Sequence, residues 1–211
     1  MDIHLSEEEQ VEALKKWWKE NGISVAAGVV IGLGGVFGWQ YWNKHQDDLA
    51  EQASYQFEIL NASVAAGLGD SAVKQAEGLI ANFQDSNYAV FAALEAAKLK
   101  LEQGDSTGAR GQLQWAMDNT SDPSLKQISR LRLARVMLSE GDADAAAGVI
   151  AQASKDEFQG EIAELSGDIA LAKGDMNGAR EAYQQALDNQ VGSSALVRIK
   201  LNDLSAVASD S

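Results

Sequence analysis

The alternation of polar and apolar positions that runs through most of this chain is broken once. From Ile23 to Trp42, twenty residues carry no Asp, Glu, Lys, Arg or His. As a helix at 1.5 Å per residue this run is ~30 Å long, the thickness of a bilayer's hydrocarbon core. Trp17 and Trp18 precede it, and Trp39, Tyr41 and Trp42 close it. Indole and phenol rings settle at the lipid–water boundary, being apolar with one polar tip. The pattern therefore predicts a membrane-spanning helix over 23–42, with the lipid bilayer as its first partner. Upstream, Val11, Leu14, Trp17 and Trp18 recur at helical spacing beside Lys15, Lys16 and Lys19. Ser6 and Glu9 have capping-box spacing, so residues 1–22 read as a short amphipathic segment at the inner membrane face. It is either a plain anchor or a docking site. Asn21-Gly22 is placed to break or bend the chain before the span.

After the span the period changes to that of paired helices. Four Gly-Asp pairs stand at Gly69-Asp70, Gly104-Asp105, Gly141-Asp142 and Gly174-Asp175, spaced 35, 37 and 33 residues apart. After the last three, a small–large–small pattern follows at helical spacing. It runs Ala109, Leu113, Ala116, then Ala146, Ile150, Ala153, then Ala179, Tyr183, Ala186. Ala97, Ala134 and Gly167 each stand seven residues ahead of their glycine. Small residues let two antiparallel helices approach, and a large one fills the adjoining gap. Glycine leaves the first helix through a left-handed conformation, and aspartate caps the second. The unit after Gly69-Asp70 departs from the alanine register and reads as degenerate or capping. A period near 34 resembles the tetratricopeptide repeat, although the leading helices lack its Trp and Tyr.

The resulting map is all-α. A single N-terminal transmembrane helix is followed by a tetratricopeptide-like solenoid over 43–211. A long helix is predicted near 41–66, either separate from the span or continuous with it, and others near 70–83, 86–103, 106–119, 124–140, 143–154, 158–173 and 176–189. A closing helix near 193–207 covers the last repeat. Pro123 opens a helix at its first turn, where proline is tolerated.

Charge sets the orientation and removes one class of partner. Three lysines (15, 16 and 19) precede the span, and only Lys44 follows it before Lys74. Positive residues stay on the cytoplasmic side, which predicts the N-terminus inside and residues 43–211 across the membrane. The run is longer than a signal-peptide core and lacks a small-x-small site after it, so it reads as an uncleaved signal-anchor. Residues 43–211 hold 14 Lys and Arg against 25 Asp and Glu, a balance of −11. An acidic surface repels phosphate backbones, so no nucleic acid is expected.

The chemistry-bearing residues point away from catalysis. There is no cysteine, and His4 and His45 fall on opposite sides of the membrane. No triad, thiolate site or histidine metal cluster can be built from them, and no cofactor or metal is expected. Asp142-x-Asp144 lies in a repeat turn, where aspartate caps helices. Gly32-x-Gly34-x-x-x-Gly38 lacks the strand and βαβ unit of a dinucleotide site. Gly28-x-x-x-Gly32 and Gly34-x-x-x-Gly38 fit the small-xxx-small pattern of close helix packing, or reflect the abundance of glycine in membrane helices. The repeat register places Phe91, Leu94, Lys98, Arg135, Glu164 and Asp168 on the face lined by leading helices. They either contact a partner's segment or form salt bridges between repeats. The class is thus a binding module, with a self-associating scaffold of an envelope complex as the alternative and an enzyme as the residue.

The segment from Gln10 to Gly22, the glycine-rich span and Gly38-Trp-Gln-Tyr-Trp-Asn43 together resemble the YfgM family of Gram-negative bacteria, and the repeats fit it as well. The resemblance implies an inner-membrane protein with a periplasmic repeat domain. It also implies an ancillary role at the Sec translocon, beside the membrane-anchored chaperone PpiD and emerging secreted polypeptides.

Overall fold

The computed structural model describes residues 7–154 and 158–209. Among the described residues the elements are α1 (Glu7–Ala65), α2 (Gly69–Asn82), α3 (Asn87–Glu102), α4 (Ser106–Asn119), α5 (Pro123–Ser139), α6 (Ala143–Ile150), α7 (Gln159–Ala172), α8 (Met176–Asp188) and α9 (Ser194–Ser209), with no strand. The chain divides into two compact units, Met1–Glu51 and Gln52–Ser211. The all-α reading holds, and most predicted helix ends fall within one or two residues of those observed.

In the first unit, α1 carries the apolar run without interruption. The break expected at Asn21-Gly22 does not occur. Asn21 turns its amide back onto the helix, Nδ2 donating to the Trp17 carbonyl at 3.0 Å, and the Trp18 indole lies against Gly22. Each residue that would favour a bend is thus satisfied within the helix. The Ser6 half of the expected capping box lies outside the described residues.

The second unit stacks helices so that each packs on its neighbours in sequence. Its turns share one geometry. Gly67, Gly104, Gly141 and Gly174 have φ of +71°, +80°, +85° and +79°. The next residue in each case donates its N–H to the carbonyl five residues back: Leu68 to Ser63, Asp105 to Lys100, Asp142 to Met137 and Asp175 to Ala170, at 2.8–3.0 Å. This is the Schellman closure, and its φ > 0 position selects glycine. Asp105, Asp142 and Asp175 then accept from Gly108, Ala145 and Gly178 at 2.8–3.0 Å, capping the following helix as expected.

The first turn is corrected by two residues. Gly67, not Gly69, takes the left-handed conformation, and α2 starts without a side-chain cap. Counting from Gly67 restores the register, because Ala72, Ala76 and Leu79 then occupy the places of Ala109, Leu113 and Ala116. All six are buried. Gly69-Asp70 mimicked the motif while the turn lay just upstream.

A second correction concerns α6, expected to reach 154. It ends at Ile150. Beyond it the bonds tighten to three-residue spans, Gln152 to Val149 at 3.4 Å and Ala153 to Ile150 at 2.9 Å, which closes off the helix. Ala153 is consequently outside α6 and half-buried, unlike Ala116 and Ala186.

The core follows the small–large rule. Ala97 and Leu113 share one cluster and Ala134 and Ile150 another. At the third site Gly167 faces the Tyr183 ring so closely that a Cβ would overlap it. The largest partner meets the smallest residue. α9 completes the unit, Val197 and Leu204 packing on Ala179, Tyr183 and Ala186.

Candidate functional site

Two regions hold the residues singled out by pattern. In the first unit, α1 is long and apolar enough to cross a membrane. Ile23, Val30, Ile31 and Phe37 are exposed around it, as are Trp17, Trp18, Trp39, Tyr41 and Trp42 at its ends. From Trp18 to Trp39 the rise is ~32 Å, a length that matches the thickness of a bilayer's hydrocarbon core. Gly28, Gly32, Gly34 and Gly38 have open space where a Cβ would stand.

In the second unit the repeat register can be read as geometry. Counting back from each turn glycine, the positions ten and six residues earlier are Phe57 and Asn61, Leu94 and Lys98, Leu131 and Arg135, and Glu164 and Asp168. The six predicted surface residues do not form one patch. Leu94, Lys98 and Arg135 come together in a groove of about 530 Å³ between α3 and α5. Phe91 instead joins an aromatic cluster, its ring 5.9 Å from Phe57 and 6.2 Å from Tyr88.

Glu164 and Asp168 are engaged from within the chain. Lys200 of α9 donates to Glu164 Oε1 at 3.0 Å and to both Asp168 oxygens at 2.7 and 2.8 Å. Ser193 Oγ donates to Glu164 Oε2 at 2.5 Å, and the Tyr183 hydroxyl donates to Asp168 at 2.7 Å. Glu164 is only 6% exposed, so these bonds replace the water a carboxylate loses on burial. Burial first, then the bond to Asp168, pushes the Tyr183 hydroxyl well above the ordinary phenol range.

The groove has a different balance. Leu113 and Val136 are buried in it, with Leu94 and Leu101 on the α3 side. Lys98 Nζ donates to Glu95 at 2.9 Å, and that bond raises the pKa of the lysine. Arg132 and Arg135 line the α5 side. Neither makes a hydrogen bond or ion pair among the described residues. Register reasoning missed Arg132. Its signal was its place one helical turn before Arg135. The Asp142-x-Asp144 pair resolves into a cap and a surface ion pair, Asp144 with Lys173 at 2.6 Å, which lowers the Asp144 pKa.

A span-bearing anchor carrying stacked helix pairs defines a class, the membrane-anchored helical-repeat proteins. The tetratricopeptide repeat-like domain family matches residues 15–206. Full-length relatives are the proteins named "Ancillary SecYEG translocon subunit" of Haemophilus influenzae, at 37% identity, and of Escherichia coli, at 36%. Each alignment covers 97% of this chain and 100% of the relative. The Aggregatibacter actinomycetemcomitans protein of the same name is 35% identical over the same shares. The solved structure "MamA 41-end from Desulfovibrio magneticus RS-1" covers 76% of this chain and 92% of its own, with a TM-score of 0.57 at 13% identity, and shares the fold. The chain belongs to the family of ancillary SecYEG translocon subunits, with a tetratricopeptide-like repeat domain.

Proposed function

We propose that this protein is a single-pass inner-membrane subunit of the Sec translocon whose repeat domain lies in the periplasm and binds protein there. Its N-terminus is cytoplasmic, and its partners are the translocon, the chaperone PpiD and polypeptides emerging from the channel. The observation that carries the reading is similarity over 97% of the chain to proteins named as ancillary SecYEG subunits, joined to a groove lined by Arg132 and Arg135. The mechanism is tethering: a module held beside a channel exit raises its partner's effective concentration without chemistry. The lysine asymmetry around the span supports the orientation.

The test is affinity purification of the tagged full chain from detergent-solubilised membranes. Co-purification of SecYEG and PpiD is the expected outcome, and recovery of neither refutes the reading. Cysteines placed at either end of α1 should be labelled by an impermeant reagent in intact cells only on the side of residues 43–211. Labelling at the N-terminal end instead would invert the topology.

A further inference from the structure

The fold already holds one helix across a leading helix of the repeat unit. At α7, positions ten and six before the turn glycine are Glu164 and Asp168, and they hold Lys200 of α9. The fit combines a cation meeting carboxylates with Val197 and Leu204 packing on the unit's apolar side. At α3 and α5 position ten is leucine, Leu94 and Leu131, and position six is inverted in sign. Position six is Lys98 in one and Arg135 in the other, and Arg132 lies a turn away. The acidic balance of residues 43–211 makes this concentration of positive charge a local exception. Four charged side chains line the groove, one acidic (Glu95) against three basic, a net of +2.

From this we infer that the groove between α3 and α5 seats a short acidic–apolar segment of a partner polypeptide. The inference rests on the protein-binding reading above and deepens it by assigning the chemistry of the bound stretch. The segment's carboxylates meet Arg132 and Arg135, as Glu164 and Asp168 meet Lys200. An apolar side chain descends onto Leu94, Leu113 and Val136. Length narrows the occupant further. The lining residues run from Leu94 to Leu101 on α3 and from Arg132 to Ser139 on α5, roughly 10 Å along each wall. An extended chain at about 3.3 Å per residue covers that distance in about three residues. The guanidinium fork suits a carboxylate because it can offer two parallel N–H donors.

The experiment measures binding of fluorescent peptides to the purified full chain in detergent micelles. Three peptides share a central leucine, flanked by aspartate and glutamate, by asparagine and glutamine, or by lysine. The acidic peptide should bind about two- to thirtyfold tighter than the amide peptide, the gain expected from two exposed ion pairs. That preference should shrink with added salt. Arg132→Gln with Arg135→Gln should abolish it, and Arg132→Lys with Arg135→Lys should keep part of it. Far-UV circular dichroism of each variant establishes that the helices persist. Equal binding of acidic and amide peptides, preference for the lysine peptide, no binding of any, or an unchanged affinity in the double glutamine variant would each overturn the inference. So would arginine-dependent self-association at the concentrations used, which would make a second copy the occupant. Because the peptides need no translocon, this failure is distinct from failure to co-purify SecYEG, which bears on the functional reading alone.

Discussion

The packing of Gly167 against Tyr183 makes a quantitative prediction. In the two preceding units alanine stands where Gly167 does, and leucine or isoleucine where Tyr183 does. Gly167→Ala alone drives a methyl into a fully buried ring. Overpacking of this kind costs about 1–3 kcal/mol, and replacing a helical glycine recovers up to about 1 kcal/mol. The net expectation is a loss of about 1–2 kcal/mol, or roughly 3–6 °C in Tm for a unit of this size. Tyr183→Leu alone empties part of the site and removes a hydrogen bond to Asp168, for a loss of about 2 kcal/mol, below the range for a whole aromatic ring. Together the two changes rebuild the alanine–leucine pair of α3 and α4. The double variant should be about 1–2 kcal/mol more stable than the sum of the single effects requires, within the range found for contacting residues. The assay is urea unfolding of the full chain in detergent, followed by far-UV circular dichroism, on wild type and the three variants. Additivity within about 0.5 kcal/mol would refute the claim that size is exchanged between these two positions.

Two further outcomes follow from the same structure. The fold keeps the Tyr183 hydroxyl protonated, so its stabilisation is intact below the ordinary phenol value of about 10 and declines as pH rises beyond it. Tyr183→Phe should therefore flatten the alkaline arm of a stability–pH curve, and an unchanged slope would dismiss the assignment. At Gly141, with φ of +85° and open space around it, alanine should cost about 1–2 kcal/mol through backbone conformation alone. The neighbouring Gly148→Ala, within α6 and also facing open space, should instead stabilise by up to about 1 kcal/mol. Thermal melts of the two variants moving the same way would contradict this.

The helices were readable because two independent signals agreed at most turns, a glycine where the chain must turn left-handed and an aspartate to open the next helix. Where they disagreed, reading went astray. Gly69-Asp70 has both residues, yet the turn is made by Gly67 and the helix opens without a cap. The bend expected at Asn21-Gly22 failed for a local reason, since an amide can satisfy a helix carbonyl and an indole can cover a glycine. At α6 nothing in the alanine spacing marked the tightened bonds that stop the helix at Ile150. The candidate surface was legible only by position. Leu94, Lys98 and Arg135 did converge, because the register fixes which helix face is shared. That Glu164 and Asp168 are occupied by Lys200 depends on how α9 folds back, and a contact 32 to 36 residues away leaves no periodic trace.

The closing helix also gives the array an end. A stack of like units can in principle keep adding units, and an uncovered last pair would offer its apolar side to any similar neighbour. Here Val197 and Leu204 occupy that side and Lys200 fastens the cover with charge. Growth by addition at this terminus is thereby foreclosed, and a chain shortened before residue 194 would be left with a sticky end.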